Sequence, residues 1–180
     1  MPRYVAFLRA VNVGGRIVKM DELRGHFEDA GFSDVDTFIA SGNVIFSTAA
    51  KPAATIESTI EKHLEKSLGY EVPTFVRTLA EVTSACERLP FTDKAVTAAG
   101  ACIVGLLKPP VDTAAEARLN ALEPAVSTFK VLGHELYWLS KVRQGESKLT
   151  PGKIEKALGG STTMRSITSI RKLAAKHCSA

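Results

Sequence analysis

The chain has few cysteines, few aromatic residues and no long hydrophobic run. Its 180 residues include three cysteines, and 7% of them are aromatic. Cys86, Cys102 and Cys178 are odd in number and far apart, with no CxxC pair, so neither a disulfide framework nor a zinc site is expected. No apolar stretch approaches the roughly 20 residues of a transmembrane helix. We therefore expect reduced thiols, no metal and no insertion into a membrane.

The remaining composition is that of a globular protein. Hydrophobic residues make up 45% of the chain and charged residues 23%, and a chain of this length buries roughly 70% of its unfolded surface on folding. The N-terminus passes directly into an apolar segment, Tyr4 to Leu8, that no small-residue cleavage site follows. We expect a cytoplasmic protein that folds without a cofactor.

Charge is divided unevenly along the chain. Residues 141–180 hold nine basic and two acidic side chains, a net charge of +7, whereas residues 1–140 sum to −3. A basic segment of this kind attracts nucleic acid, nucleotides and other anions, but it is equally typical of a solvated basic tail. The charge pattern therefore indicates anionic partners without identifying one.

The first half of the chain has the order β-α-β-β-α-β. Short apolar runs alternate there with two segments whose apolar residues recur every three or four positions, as in helices. The predicted strands are 4–8, 35–40, 44–46 and 73–77, and the predicted helices lie within 20–30 and 52–68. This order is that of the ferredoxin-like plait.

The order β-α-β-β-α begins again near residue 100, without an obvious fourth strand. Residues 160–173 are instead predicted as a capped helix, with Arg165, Lys172 and Lys176 along one side. The predicted fold class is α+β, with tandem ferredoxin-like (β-α-β-β-α-β plait) subdomains. The subdomains are 1–77 and 100–180, the second ending in a basic helix, and 78–99 supplies a linking helix and connection. A single mixed sheet shared by both halves is the alternative.

The loop after the first strand is the most informative segment. It contains Arg9, Asn12, Gly14, Gly15 and Arg16. In a plait the first strand ends beside the turn that joins the second and third strands, here Ser41, Gly42 and Asn43. Glycines let backbone N–H groups approach an anion, while arginines supply charge and amides or hydroxyls supply hydrogen bonds. These two segments, 9–16 and 41–43, form the predicted anion-binding site, which we name the glycine edge.

A second group of ligand-binding candidates lies in the basic segment: Ser147, Lys148, Thr163 and Arg165. Hydroxyls and cations of this kind bind phosphates. Gly14-Gly15 is followed by neither GK[ST] nor GxxG, so this is neither a P-loop nor a dinucleotide-binding turn. Asp21 and Glu22 open the next helix and would repel an anion at its end. We therefore expect the anion at the loop and turn.

No catalytic constellation is apparent in the sequence. The four histidines have no obvious carboxylate or nucleophile partner; they are His26, His63, His134 and His177. Asp36 and Glu22 become candidates for acid–base chemistry only if the fold brings them close to the loop. Catalytic residues are therefore not assigned, and the question of enzymatic activity stays open.

Several short motifs recur together as in one known family. They are Leu8-Arg9-x-Val11-Asn12-Val13-Gly14-Gly15, Met20-x-x-Leu23, Gly31-Phe32, Ser41-Gly42-Asn43, Ser147-Lys148-Leu149, and Thr163-x-Arg165 with Lys172-Leu173. Over nearly the whole chain they resemble the bacterial domain-of-unknown-function family 1697. The resemblance implies two plait-like subdomains and no established activity, substrate or cofactor. Members often carry Asn and Trp where this chain has Ser166 and Ile167, and glycine where it has Ala10, so we expect this chain to lack any ligand contact that this Asn and Trp make.

Three classes of function follow from these observations. The first is a module that binds a small phosphorylated or other anionic ligand at the glycine edge. Single-stranded nucleic acid is a less favoured ligand, bound through the basic C-terminal segment, because residues 43–46 lack the aromatic pattern of sheet-based RNA binders. The second class is an enzyme acting on an anionic metabolite with the same arginines. The third is a structural or protein-interaction module whose oligomeric state the sequence does not predict.

Overall fold

The structure is a computed structural model that describes residues 1–12, 14–39 and 42–178. Within these ranges the strands are β1 (Arg3–Leu8), β2 (Ser33–Thr37), β3 (Asn43–Ser47), β4 (Thr74–Thr78), β5 (Ala101–Leu106), β6 (Ser127–Leu132), β7 (Glu135–Ser140) and β8 (Thr163–Ser166). The helices are α1 (Met20–Asp29), α2 (Ala53–Leu68), α3 (Leu79–Glu87), α4 (Asp93–Ala98), α5 (Ala115–Asn120), α6 (Pro151–Leu158) and α7 (Ile167–His177). No helix in the described ranges is long and apolar enough to cross a membrane.

The chain divides into two compact units. One comprises Met1–Thr83 with Leu173–Ala180, and the other comprises Ser84–Lys172. The sequence analysis placed all of 100–180 in one subdomain, whereas the end of α7 groups with the first unit. The reason is visible at Phe38, where the Lys176 ammonium lies 5.6 Å from the ring centroid and the His177 ring packs edge-on at 5.8 Å.

The first unit is built on a four-stranded antiparallel sheet in the order β2-β3-β1-β4. Phe7 of β1 pairs with Asn43 of β3 on one side and Phe75 of β4 on the other. Apolar residues of one sheet face pack with those of α1 and α2, and this core includes Tyr4, Ala6, Leu8, Leu23, Phe27, Val44, Phe46, Ile56, Ile60, Leu64 and Val76. The predicted plait is confirmed here.

The second unit repeats this arrangement. Its sheet has the order β6-β7-β5-β8, which is the same permutation of strands. Its core includes Ile103, Leu119, Phe129, Leu136, Trp138, Ile154 and Leu158. The tandem plait is therefore confirmed for the described residues, and the alternative of one mixed sheet is wrong because the strands form two separate sheets.

The fourth strand of the second unit corrects the sequence analysis. Thr163–Ser166 form β8, and α7 begins only at Ile167, so the predicted helix over 160–173 is wrong in its first half. This segment is a strand because it pairs with the edge of β5, where Val104 pairs with Arg165 and Leu106 with Thr163. Strand pairing satisfies the backbone of this polar segment and overrides its local pattern.

The two units share a short motif at the end of the last strand. Arg77 and Arg165 are both buried, and each donates from Nη1 to the carbonyl of the residue before it, at 2.9 and 3.0 Å. A hydroxyl residue follows each arginine and accepts a hydrogen bond from the backbone N–H three residues later, at 3.1 Å in both Thr78 and Ser166. In each plait the last strand thus passes directly into a capped helix.

Candidate functional site

Backbone hydrogen bonds on both sides fix the beginning of the glycine edge. The Leu8 N–H donates to the Gly42 carbonyl at 2.8 Å, and the Arg9 N–H donates to the Pro73 carbonyl at 2.9 Å. The first contact places the end of β1 beside the turn that precedes β3, as the plait topology requires. The loop therefore leaves the sheet from a fixed position between β3 and β4.

Asn12 closes the loop. Its side-chain oxygen accepts a hydrogen bond from the Val18 N–H at 2.7 Å. Val11 and Val18 are both buried in the first core, and the Tyr70 hydroxyl donates to the Val11 carbonyl at 3.4 Å. An Asn side chain that takes the place of a backbone acceptor is typical of a defined loop. Both ends of the segment between Val11 and Val18 are thus anchored.

The two glycines lie on the exposed part of this loop. Gly14 and Gly15 have φ values of +62° and +83°, in the left-handed region that glycine adopts without steric cost. A Cβ at either position would meet no atom within 4 Å among the described residues. The loop surface at Gly14 and Gly15 is therefore open to a ligand that approaches from solvent.

Positive charge lies at both ends of the open segment. Arg16 is exposed, and its guanidinium carbon lies 4.1 Å from the centroid of the Tyr70 ring. Cation–π stacking restricts this side chain, and a guanidinium stacked on a ring can still donate hydrogen bonds from its N–H groups. Arg9 is half-buried at the other end. The loop therefore combines open backbone with two guanidiniums, which is a combination that suits carboxylates and phosphates.

The turn side of the glycine edge is tightly packed. Gly42 has a φ of +78°, and a Cβ there would lie 2.9 Å from Val11 Cγ1 and 3.1 Å from Leu8 Cβ. The Asn43 side chain is buried and donates to the Phe38 carbonyl at 2.9 Å. Asn43 therefore contributes an internal hydrogen bond to the turn, and the predicted site residue Ser41 lies outside the described residues.

One non-glycine residue of the glycine edge and one just before its turn segment adopt a left-handed backbone. Ala10 has a φ of +57°, and Ile39 has a φ of +60°. For a β-branched residue such a conformation is an outlier, and strain of this kind concentrates at binding sites. The Ile39 side chain is 48% exposed, and Ile17 on the loop is 83% exposed. Exposed apolar side chains therefore border the charged loop.

The acidic residues at the start of α1 have partners on that helix. An oxygen of Asp21 lies 3.5 Å from the Arg24 guanidinium, and an oxygen of Glu22 lies 3.7 Å from His26 Nε2. Asp36 lies on β2, where its carboxylate is 3.9 Å from His177 Nε2 and 3.9 Å from Arg24. The two acid–base candidates of the sequence analysis, Glu22 and Asp36, are thus both engaged with basic side chains.

The candidates at 147 and 148 surround a carboxylate of the second unit. The Ser147 hydroxyl donates to Glu123 Oε2 at 3.0 Å, and the Lys148 N–H donates to Glu123 Oε1 at 3.3 Å. Ser127 donates a further hydrogen bond at 2.9 Å. Burial acts to raise the pKa of Glu123, but the hydrogen bonds from Ser127, Lys148 and Ser147 together lower it. This loop therefore binds an acidic group of its own chain.

The candidates at 163 and 165 lie inside the second unit. Arg165 was expected on an exposed helix side, but its side chain is buried on β8 and donates from Nη1 to Thr163 Oγ1 at 2.8 Å. Burial lowers the pKa of Arg165 to about 10, because the charged guanidinium is removed from water. Thr163 is also buried. The expected placement on a helix surface is wrong for both residues.

Comparison with known proteins supports this fold and places the chain in a family. The chain is similar to a solved structure, the conserved bacterial protein SP0830 from Streptococcus pneumoniae, with a TM-score of 0.76 over 98% of each chain and 19% sequence identity. No curated protein matches it. Residues 1–137 match the family described as protein of unknown function, DUF1697, so the resemblance seen at 147–173 rests on the motifs alone. The chain belongs to the DUF1697 family.

Proposed function

We propose that the protein binds a small phosphorylated or other anionic ligand at the glycine edge. The main support is the conformation of the loop. It is anchored at Val11 and Val18, and between these anchors Gly14 and Gly15 have a left-handed backbone with open space around it. A loop that only connected two elements would not need both features. Backbone N–H groups of an anchored loop, together with guanidiniums from the same loop, are the groups that bind anions with little reorganisation, and Gly14, Gly15, Arg9 and Arg16 supply them here.

The first unit carries this proposal by itself. Arg9, Asn12, Gly14, Gly15 and Arg16 all belong to it, and Asn12 acts by shaping the loop. The residues predicted at 147–148 and 163–165 belong to the second unit, where they bond to Glu123 and to one another. The ligand proposed here is therefore small enough to be held by one loop and its neighbouring turn.

Buried aromatic residues favour a small ligand over single-stranded nucleic acid. Binding of single strands relies on exposed aromatic rings on which bases stack. Tyr4, Tyr137 and Trp138, the aromatic residues expected on strands, are 6%, 1% and 2% exposed. Tyr70 is half-buried and lies against Arg16. The sheets thus offer little stacking surface at these positions.

The proposal includes a setting in the bacterial cytoplasm. Cys86, Cys102 and Cys178 are free thiols, as in proteins of a reducing compartment. Burial raises the pKa of Cys102 and of Cys178, which keeps both thiols protonated and unreactive near neutral pH. A reducing compartment is therefore the setting in which these residues are inert.

A thermal-shift experiment tests the proposal. The full chain is heated with inorganic phosphate, adenosine monophosphate, citrate or a short single-stranded RNA, because a ligand that binds only the folded state raises Tm. We expect at least one small anion to raise Tm. Arg9→Ala and Arg16→Ala should each lose this shift, since each removes one guanidinium.

The exposed arginine Arg88 in the second unit provides a matched control. Arg88→Ala removes the same charge away from the loop and should keep the shift. An equal shift in Arg9→Ala, Arg16→Ala and Arg88→Ala would show that the anion acts through net charge, and the glycine edge would be rejected. A shift with RNA alone would favour the nucleic-acid alternative.

A further inference from the structure

A second polar cluster in the first unit lies on its two helices. His26 and Asp29 are three residues apart near the end of α1, and His63 lies on α2. Each of the three side chains offers one ligand atom, and these atoms lie within 4.8 Å of one another. Two imidazole nitrogens and one carboxylate oxygen are a donor set that zinc and related divalent metals prefer. The sequence pattern alone predicts no metal, because the two histidines are 37 residues apart in the chain.

Both imidazoles bury a nitrogen that lacks a hydrogen-bond partner. The Nε2 atoms of His26 and His63 are shielded from solvent and make no hydrogen bond in the described part of the chain, although a Glu22 oxygen lies 3.7 Å from that of His26. The rings meet edge-on, with centroids 6.1 Å apart and planes at 62°. A buried polar atom without a partner is costly, and each such atom in a folded protein calls for an explanation. A metal ion bound by both nitrogens provides one.

The surrounding core holds the two histidines in place. They border a small cleft whose other walls include Phe27, Phe32 and Leu64, all of them buried. Asp29 is exposed, so the cluster is open to solvent on the carboxylate side. The C-terminal end of a helix attracts cations because its free carbonyls point outward. His26 and Asp29 occupy that end of α1.

We propose that His26, Asp29 and His63 bind a divalent transition-metal ion, with Zn²⁺ the best fit. An oxygen of Glu22 lies 3.7 Å from His26 Nε2, where this carboxylate can supply a fourth ligand. Tetrahedral Zn²⁺ holds its donor atoms about 3.3 Å apart, and the ligand atoms here lie within 4.8 Å of one another, so the side chains need to close by at most about 1.5 Å through rotation. The ion would join α1 to α2. The inference does not depend on the glycine edge.

Zinc titration of the full chain, followed by calorimetry, tests the site. We expect one Zn²⁺ per chain. His63→Ala removes one ligand and should weaken binding at least about tenfold. Asp29→Asn is the second variant, because Asp29 is exposed and its replacement leaves the apolar core intact. It should weaken binding as well. Substitution with Co²⁺ should give a visible spectrum of nitrogen and oxygen ligation without a thiolate band.

His134→Ala is the matched control. His134 is an exposed histidine between β6 and β7, away from α1 and α2 in sequence and in the second unit. This variant should bind Zn²⁺ as the unmodified chain does. Undiminished binding in both His63→Ala and Asp29→Asn would overturn the proposal. So would a thiolate band with Co²⁺, or the absence of binding by the unmodified chain at millimolar Zn²⁺.

Discussion

Gly42 joins the conformation of one turn to the packing of a neighbouring loop. Its φ of +78° lies in the left-handed region. A Cβ at this position would lie only 2.9 Å from Val11 Cγ1 and 3.1 Å from Leu8 Cβ. Gly15 has a similar φ of +83° with open space around it. A side chain at Gly15 would therefore cause backbone strain alone, whereas a side chain at Gly42 would cause the same strain and a steric clash.

Alanine substitutions measure these two effects. Gly15→Ala should lower the free energy of unfolding by about 1 kcal/mol, the cost of a left-handed backbone for a residue with Cβ. Gly42→Ala should lower it by about 3 kcal/mol, because overpacking adds to the same strain. Urea denaturation of both variants checks the difference. Equal losses would mean that the approach of Val11 and Leu8 to Gly42 does not contribute.

The setting of His177 predicts an effect of pH on stability near neutral pH. Burial lowers its pKa, Lys176 and Arg3 lower it further, and Asp36, whose carboxylate lies 3.9 Å from Nε2, acts in the opposite direction. The folded state thus binds a proton less readily than the unfolded chain does. Stability must therefore fall as the pH drops below about 6.5, where the unfolded chain takes up the proton first.

Unfolding measured at about pH 7.5 and about pH 5.5 tests this expectation. The free energy of unfolding should be lower at the acidic pH. In His177→Gln this difference should shrink, because the substituted side chain does not titrate. His134→Gln, a change at an exposed histidine, should keep the full difference. If the free energy of unfolding depended on pH equally in His177→Gln and in the unmodified chain, His177 would not be the source of the effect.

At the scale of elements, strong periodicity made the first plait predictable and weak periodicity hid β8. The apolar residues Ile56, Ile60 and Leu64 recur every four positions and are all buried on α2. β8 has only four residues, among them the buried Arg165, and no apolar alternation. Its pairing with β5 is a tertiary contact that local pattern does not encode. Short polar strands of this kind escape sequence analysis for that reason.

The start of α7 can be located by substituting its cap. Ser166 accepts a hydrogen bond from the Ser169 N–H at 3.1 Å, so Ser166→Ala should lower the free energy of unfolding by about 1 kcal/mol. Thr168→Ala, at an exposed position in the first turn, should have little effect. If the helix began near residue 160, Ser166 would be an interior position and alanine would be neutral or stabilising. Thermal or urea unfolding of both variants distinguishes the two boundaries.

In the whole molecule, the repeated order of elements was predictable from the sequence, whereas contacts between distant segments were not. The tandem topology was predictable because the same order of elements occurs twice, and the structure confirms it with one strand permutation in both units. Clusters of residues that are distant in sequence but close in space could not be predicted in this way. His26 and His63 are far apart in sequence and meet only when α1 packs against α2. Likewise, Glu123 engages Ser147 and Lys148 through contacts between distant segments.

Along the whole chain, net charge and the proposed site do not coincide. The basic excess lies in residues 141–180, whereas the glycine edge belongs to the part of the chain with a net charge of −3. Buried Arg165 belongs to that basic excess yet is withdrawn from the surface. We therefore expect local geometry, rather than overall charge, to determine where an anion binds.

An amide NMR titration of the full chain with inorganic phosphate tests this assignment most directly. We expect saturable shifts of the Gly14 and Gly15 amide signals, because the loop surface at these residues is open and lies near Arg9 and Arg16 in the chain. The same shifts should be lost in Arg9→Ala. Shifts confined to residues 141–176, with the Gly14 and Gly15 signals unchanged, would contradict anion binding at the glycine edge and assign it to the basic segment.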